Sequence, residues 1–468
     1  MLGNKSKAFV AERSFSSRDQ YAFANLSGDF NPIHLNPIHA RRTMAGRCVV
    51  YGTFGVMWAL DSFLSTGRRS PSSMQVNFLK PIFLDERISC VWNDKDLKLE
   101  LCNDSVIFTE IILSFDTNIS PFSVDLKCKP AFKAPFERDL SCIKNIQTQD
   151  FFFRGESKLI SSMFQYLSSV YSSETCCEIA AISEVIGMQV PGLHSMLLSM
   201  SISFAQSDHS PNFSVRDVHE KFKILKIVVN GGSLRSEVAA LLRPQSTKGM
   251  SLLSCKHDVK SREFEHIKAL IIGGSRGLGE CVAKLIALGG GETSITYALG
   301  HEDALNVANE IGEYGGRCSI SKLIIPDDLH QLDKLGQFTH IFYFATPKIF
   351  GKRGTDYDES TYLQFREIYV DGFKKIVEHF KNSGGKTAIY YPSTIAVSEP
   401  ISELAEYIQS KVEGEQLCRD MSDVLTTNIL YSRIPRTETD QTMTASSIAA
   451  EKPEDVMLPI VRKMAHLI

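Results

Sequence analysis

The sequence predicts two fold classes in one chain: an α+β N-terminal half built on antiparallel sheet, and an α/β C-terminal half built on a doubly wound parallel sheet. Three observations carry this. The 468 residues exceed what one hydrophobic core fills, because single cores stop growing near ~250–300 residues, so several domains are expected. Up to about residue 250, helical patterns precede clusters of short Val-, Ile- and Phe-rich runs separated by hairpin turns. Beyond residue 266, short apolar runs alternate one by one with helical stretches, the texture of parallel strands covered on both faces.

Composition narrows the function classes. With 43% hydrophobic and 22% charged residues, the chain has the balance of a folded globular protein. A formal net charge of −3 gives no electrostatic drive toward nucleic acid or an anionic membrane surface, so neither is an expected partner. No run approaches the ~20 apolar residues that cross a bilayer. Eleven scattered cysteines without a C-x-x-C pair, after an opening that lacks the apolar stretch of a signal peptide, imply a reduced, cytoplasmic setting. Cys176 and Cys177 read as small buried hydrophobes, and no metal site is expected.

The first domain is expected over residues 1–130. A helix over 17–26 and an apolar helix over 52–64 precede the strand runs MQVNFLKPIFLDERISCVW, LKLELC and SVIFTEIILSF, the last two separated by the turn signal Asn103-Asp104. The second domain, 131–250, repeats that order. Helix patterns over 158–170 and 185–200 lead to SISFAQ, FKILKIVVN and SLRSEVAALLRP, with Asn230-Gly231-Gly232 as a hairpin, so an internal duplication is expected. Residues 251–265 are polar and aperiodic, as in a linker. The third domain, 266–468, opens on a strand over 267–272, a Gly-rich turn and a helix, and continues through 294–299, HIFYFAT, KTAIYYPS and LTTNILYSRIP with helices between.

Residues 23–35 read FANLSGDFNPIHL. Asp29 and His34, five residues apart around a proline turn, can converge on one cleft and share proton transfer; Asp-x-Asn-Pro is also an ordinary turn. The stretch closely resembles the MaoC-like (R)-specific enoyl-CoA hydratases, where F-A-x-L-S-G-D-x-N-P-x-H precedes G-x-x-V-H-G and F-x-x-P-V-x-x-G-D, here residues 46–52 and 78–85. The resemblance covers about residues 15–120 and implies a hot-dog fold that adds water reversibly across a 2-enoyl thioester. Asp29 and His34 match the catalytic pair, Asn31 would orient them, and the Gly52 N–H at a helix start would meet the thioester oxygen. Tyr51 stands where the family has His. The second domain resembles a further hot-dog unit without D-x-N-P-x-H, with residues 191–195 where the first has its helix start. It is expected to be non-catalytic, to complete the acyl pocket and to cover the first unit's sheet edge, with His194 as a cap or core residue.

Gly273-Gly274-Ser275-Arg276-Gly277-Leu278-Gly279 lies between a strand and a helix, where glycines allow a tight turn and close approach of N–H groups to a pyrophosphate. Its spacing resembles the T-G-x-x-x-G-x-G loop of short-chain dehydrogenases/reductases, a Rossmann-type family. The resemblance extends over 266–460 through Tyr407-x-x-x-Lys411 and Ser393, fourteen residues before Tyr407. It implies NADP(H) held by Gly273, Ser275, Arg276, Gly277, Leu278, Gly279 and Lys411. Tyr407 would donate a proton to the developing alkoxide, Lys411 would lower that phenol's pKa and bind the ribose, and Ser393 would hydrogen-bond the substrate oxygen. Arg276 can pair with a 2′-phosphate, and no acidic residue ends the second strand, which favours NADP(H) over NAD(H). Departures from the family are residues 344–347, FATP in place of N-N-A-G, Tyr369 at a position that often carries Asn, and the absence of the usual last strand.

Together the resemblances imply a bifunctional enzyme on (R)-3-hydroxyacyl thioesters: NADPH-dependent reduction of a 3-oxoacyl thioester, and reversible hydration and dehydration with the 2-enoyl thioester. The expected partner is an acyl-CoA or acyl-carrier-protein thioester, and a homodimer is carried over from the family. Two other readings stand beside this one: a reductase whose hot-dog half only binds or presents the thioester, and a non-catalytic acyl-carrier docking protein.

Overall fold

A computed structural model describes residues 7–103, 106–116, 134–150, 157–207, 210–245, 250–255, 257–327, 329–349, 357–382, 387–424, 428–442 and 449–468; Asp104 of the expected turn lies outside them. The chain divides into two compact units, Met1–Gln245 and Ser246–Ile468.

The first unit is one ten-stranded antiparallel sheet. Its first half contributes β1 (Lys7–Ser14), β2 (Ser73–Phe78), β3 (Arg87–Asn93), β4 (Lys98–Cys102) and β5 (Ile107–Ser114). The second contributes β6 (Gln149–Asp150), β7 (Ser195–Phe204), β8 (Asn212–His219), β9 (Ile224–Asn230) and β10 (Leu234–Leu242). The strand order is β1-β3-β4-β5-β2-β7-β10-β9-β8-β6. Each strand of one half maps onto the strand five later in the other, so the two halves have the same topology in mirrored order about the β2/β7 joint. There β2 pairs antiparallel with β7, Val76 opposite Met200, and the edge of each half is covered by the other.

Among the helices that pack with this sheet, three position the candidate site. Helix α1 (Ser17–Ser27) starts at a capping box between Ser16 and Asp19 and stops at Gly28, whose φ of 83° suits glycine. Helix α2 (Gly52–Ser65) and helix α3 (Ser173–Glu184) are the long helices of the two halves, and both contribute to one continuous apolar core. The helix expected over 185–200 is not formed. Helix α3 continues only as a π-turn over Val185–Gln189, Pro191 follows, and residues 195–204 pair as β7 with both β2 and β10. Proline cannot extend a helix, and an apolar run of that length carries no clear period until it has neighbours. The segment 191–195 therefore follows the second half's helix rather than starting it.

The second unit carries a parallel sheet of β11 (Lys268–Ile272), β12 (Glu292–Tyr297), β13 (Arg317–Lys322), β14 (His340–Tyr343), β15 (Ala388–Thr394) and β16 (Asn428–Ile434), in the order β13-β12-β11-β14-β15-β16. Strand order reverses between β11 and β14, both parallel to each other. Helix α4 (Gly277–Leu288), helix α5 (His301–Glu313) and helix α6 (Ala405–Val424) follow β11, β12 and β15. The stretch expected as a linker is part of this unit: Leu252, Cys255, Val259 and Phe264 are buried in its core. Four apolar side chains spaced through a polar segment lack a period but still bury area. Among the described residues, no helix is long and apolar enough to cross a membrane, and no cluster of three or more His, Cys, Asp or Glu is disposed to hold a metal ion.

Candidate active sites

In the first unit, the left-handed Gly28 ends α1 and turns the chain so that Asp29 points inward, 1% exposed. Its Oδ1 accepts the Asn31 N–H (3.0 Å) and its Oδ2 accepts the Ser183 hydroxyl (2.8 Å) from α3 of the other half. A Cβ on Gly187 would fall 2.3 Å from Asp29 Oδ2, so only glycine lets that π-turn lie against the carboxylate. Asn31 caps the short helix that carries His34 and donates its amide to the carbonyls of Gly187 (2.8 Å) and Gly192 (3.1 Å). The two halves therefore build this loop jointly.

Tyr51 is the hub of the site. Its hydroxyl donates to the Asp29 carbonyl at 2.6 Å, and its ring stacks on the His34 imidazole at 3.9 Å. In this way Tyr51 holds the Asp29 backbone and the His34 ring, the two residues expected to be catalytic. His34 Nδ1 lies 2.7 Å from the Val49 carbonyl, an acceptor, so Nδ1 carries the proton and Nε2 is left as a base. Burial holds the imidazole down at about 4 despite that bond, and keeps it neutral. Burial pushes Asp29 up to about 7, against the opposing bonds from Asn31 and Ser183. Gly52 opens α2 with no side-chain cap on the helix start; a Cβ there would meet the Phe78 ring at 2.8 Å and Leu197 at 3.2 Å. Cys176 and Cys177 are buried in α3, and His194 is buried with its Nε2 3.0 Å from Glu137.

In the second unit, the loop after β11 coils on itself. Cβ atoms at Gly273 and Gly279 would fall 2.7 Å from the Phe344 carbonyl and 2.3 Å from the Gly273 carbonyl. Ser275, Arg276, Gly277 and Leu278 are half-buried, and α4 starts with no side-chain cap. A tight glycine loop, an uncapped helix start and a reversal of strand order fit the pyrophosphate of a dinucleotide. Arg276 is not free for a 2′-phosphate as expected. It is ion-paired with Asp440, and its Nε lies 3.9 Å from Asp303 Oδ2 in the first turn of α5. The strand itself ends without an acid, but the next helix supplies one.

Around Tyr407, the structure departs from the expected serine. Ser393 and Thr394 end β15 on opposite faces, because strand side chains alternate. Ser393 is buried and donates to Glu415 Oε1 at 2.5 Å, while Arg433 grips the same carboxylate at 2.7–2.8 Å. The hydroxyl that draws the Tyr407 phenol down, against burial, belongs to Thr394. The expected Ser393 role is therefore corrected: its oxygen is committed to an ion-pair network on the far face. Lys411 also differs from expectation. Its Nζ donates to the Pro392 carbonyl at 2.8 Å and stands 3.7 Å from the Tyr369 ring centroid and 5.8 Å from that of Tyr407. Burial brings this lysine down to about 7 and pushes Tyr407 up to about 12, so the phenol is not lowered here but held protonated. Tyr369, in place of an Asn, packs over the ammonium and hydrogen-bonds Thr346.

No protein-family model matches the chain, and no curated protein matches it. Solved structures overlap part of it. A short-chain dehydrogenase from Burkholderia cenocepacia J2315 in complex with NADP is 19% identical over 43% of this chain and 91% of its own, with a TM-score of 0.39. A putative oxidoreductase from Escherichia coli K-12 is 18% identical over 42% and 89%, TM-score 0.38. An alternative dihydrofolate reductase from Brucella suis in complex with NADP is 16% identical over 37% and 73%, TM-score 0.34. Likeness this remote carries no argument about cofactor or substrate, which rests on this chain's residues.

Four site residues were not legible in the sequence. Ser183 and Gly187 lie some 150 positions from Asp29, and no local pattern links them. Arg243, which caps the loop that holds Asn31, looks like any charged residue at a strand end. Thr394 was visible as a hydroxyl beside Ser393, but choosing between them needs the phase of the strand.

Proposed function

We propose that the chain is a bifunctional enzyme on 3-hydroxyacyl thioesters of CoA or an acyl carrier protein, with a double hot-dog hydratase unit and a short-chain reductase unit that uses NADPH. The hydratase reading rests on one observation: the Tyr51 hydroxyl bonds the main-chain carbonyl of Asp29, whose carboxyl is buried, while its ring stacks on a His34 imidazole that keeps Nε2 as a base, beside an uncapped helix start. His34 Nε2 takes a proton from water as its oxygen bonds the β-carbon, and the Asp29 carboxyl gives its proton to the α-carbon. The α2 N-terminus, with the Gly52 N–H, faces the negative charge that grows on the thioester oxygen. Proton return from His34 to Asp29 resets the site.

The reductase reading rests on the Tyr407–Thr394 hydroxyl pair beside Lys411 at the C-terminal end of β15. A reduced nicotinamide dinucleotide, when bound, supplies the hydride. Residues 273–279 hold its pyrophosphate, Thr394 orients the substrate carbonyl, and Tyr407 donates the proton to the forming alkoxide. Lys411 sits where a ribose hydroxyl can replace the Pro392 carbonyl as its partner.

Crotonyl-CoA hydration, followed at the enoyl absorbance, and acetoacetyl-CoA reduction, followed by NADPH loss, test both halves. Asp29→Asn is expected to abolish only hydration; Tyr407→Phe and Thr394→Val are expected to abolish only reduction. Absence of both activities with CoA and carrier-protein substrates would sink the proposal, and reduction without hydration would select a reductase whose first unit presents the thioester.

A further inference from the structure

The least compensated charge in the first unit is Arg243, which follows β10 and is 3% exposed. Its N–H donates to the His194 carbonyl (2.8 Å), its Nε to the Ser195 carbonyl (2.9 Å) and one terminal nitrogen to the Leu193 carbonyl (3.0 Å). All three acceptors are neutral. Among the described residues no carboxylate pairs with it, and exposed Glu137 gives its carboxylate to His194 instead. Burial brings the guanidinium down to about 10, which leaves it charged at neutral pH.

This charge lies beside the loop that carries the candidate hydratase residues. After burial, its field is a cause of the lowered pKa of both His34 and His39, and His39 also feels His194 and Arg42. No carboxylate lies among the groups acting on any of the three. The guanidinium also shares its Leu193 acceptor with Asn31, whose amide reaches the same carbonyl at 3.3 Å. An unpaired buried charge costs several kcal/mol, and a neutral amide would serve to clamp the two carbonyls that the side chain reaches. Among the described residues nothing supplies the missing anion.

We propose that Arg243 binds a carboxylate borne by the acyl chain, so that this unit acts on enoyl thioesters of dicarboxylic acids. The inference rests on the hydratase reading of the same site. A carrier phosphate is the other source of negative charge, but it lies a full pantetheine arm away from the thioester, whereas Arg243 abuts the loop of Asn31 and His34. A guanidinium clamped on two sides still has a terminal nitrogen to offer an incoming oxygen.

The test is calorimetric binding of glutaryl-pantetheine and pentanoyl-pantetheine to the full-length chain. The two have five acyl carbons, neither can be hydrated, and both present the arm common to CoA and carrier protein. The wild-type chain is expected to bind the glutaryl ester at least tenfold more tightly. Arg243→Gln should erase that preference and Arg243→Lys should keep part of it. Equal binding by the wild type, a preference that survives in Arg243→Gln, or an Arg243-dependent gain on phosphorylating the pentanoyl-pantetheine would each overturn the proposal. Crotonyl-CoA hydration tests the underlying reading separately, since the binding comparison requires no turnover and the wild-type comparison requires no variant to fold.

Discussion

Gly187→Ala isolates the dependence of one half's chemistry on the other half's backbone. A Cβ at that position falls 2.3 Å and 2.4 Å from the two Asp29 oxygens and 2.6 Å from its Cγ. Ordinary heavy-atom contacts lie near ~3.5 Å, so the carboxylate must retreat by about 1 Å. It has little freedom to do so, being held by the Asn31 N–H, the Ser183 hydroxyl and the Tyr51 bond to its own carbonyl. Alanine's better helix propensity would contribute only ~0.5–1 kcal/mol, whereas overpacking a tight interior costs ~1–3 kcal/mol, so destabilisation wins. A misplacement of about 1 Å lowers turnover by about 100-fold. The assay is crotonyl-CoA hydration with acetoacetyl-CoA reduction in the same preparation as the internal control. Hydration should fall by about 100-fold while reduction stays within twofold. Hydration within threefold of wild type in a folded protein would refute the reasoning, as would an equal fall in both activities.

Burial holds Asp29 at about 7 instead of 3.8, so its contribution to stability is full below pH 3.8 and is lost as pH rises through about 7. Asp29→Asn should therefore match the wild type at pH 4 and exceed it by on the order of 4 kcal/mol at pH 8 in denaturant melts; a pH-independent difference would contradict the burial argument. Because hydration needs the protonated carboxyl, its kcat/KM should decline as pH passes about 7, and a flat profile from pH 5.5 to 8.5 would remove Asp29 as the donor. Asp440→Asn removes the Arg276–Asp440 pair and should tighten NADPH binding roughly fivefold, the ~1 kcal/mol of a partly exposed pair, without changing NADH binding; fluorescence titration of both nucleotides decides it. Glu178 accepts the Gly232 N–H and the Ser233 N–H and hydroxyl from inside the core, so Glu178→Ala strands three donors at the β9–β10 turn. The first unit should lose ~3–5 kcal/mol, and a loss under 1 kcal/mol would show the turn holds itself.

The sequence by itself determined the change of fold class near residue 250, the glycine loop, the Tyr407/Lys411 pair and the D-x-N-P-x-H segment. Each is local: a hairpin signal, a strand–glycine–helix succession or an i,i+4 spacing records its geometry within a few residues. Local signals also misled where two structures share one pattern. The run 185–200 is apolar enough for a helix, and only pairing with β2 and β10 makes its second part a strand. Ser393 and Thr394 both carry a hydroxyl, and only the face of β15 turned toward Tyr407 separates them.

What tertiary structure alone decided is the environment of each charge. Burial makes Asp29 a weak acid despite the Ser183 bond, burial brings Lys411 down to about 7, and Arg243 has no carboxylate partner among the described residues. Residue type states which group can ionise. Whether it does so at neutral pH depends on desolvation and on partners more than a hundred residues away, and these exist only once the chain has folded.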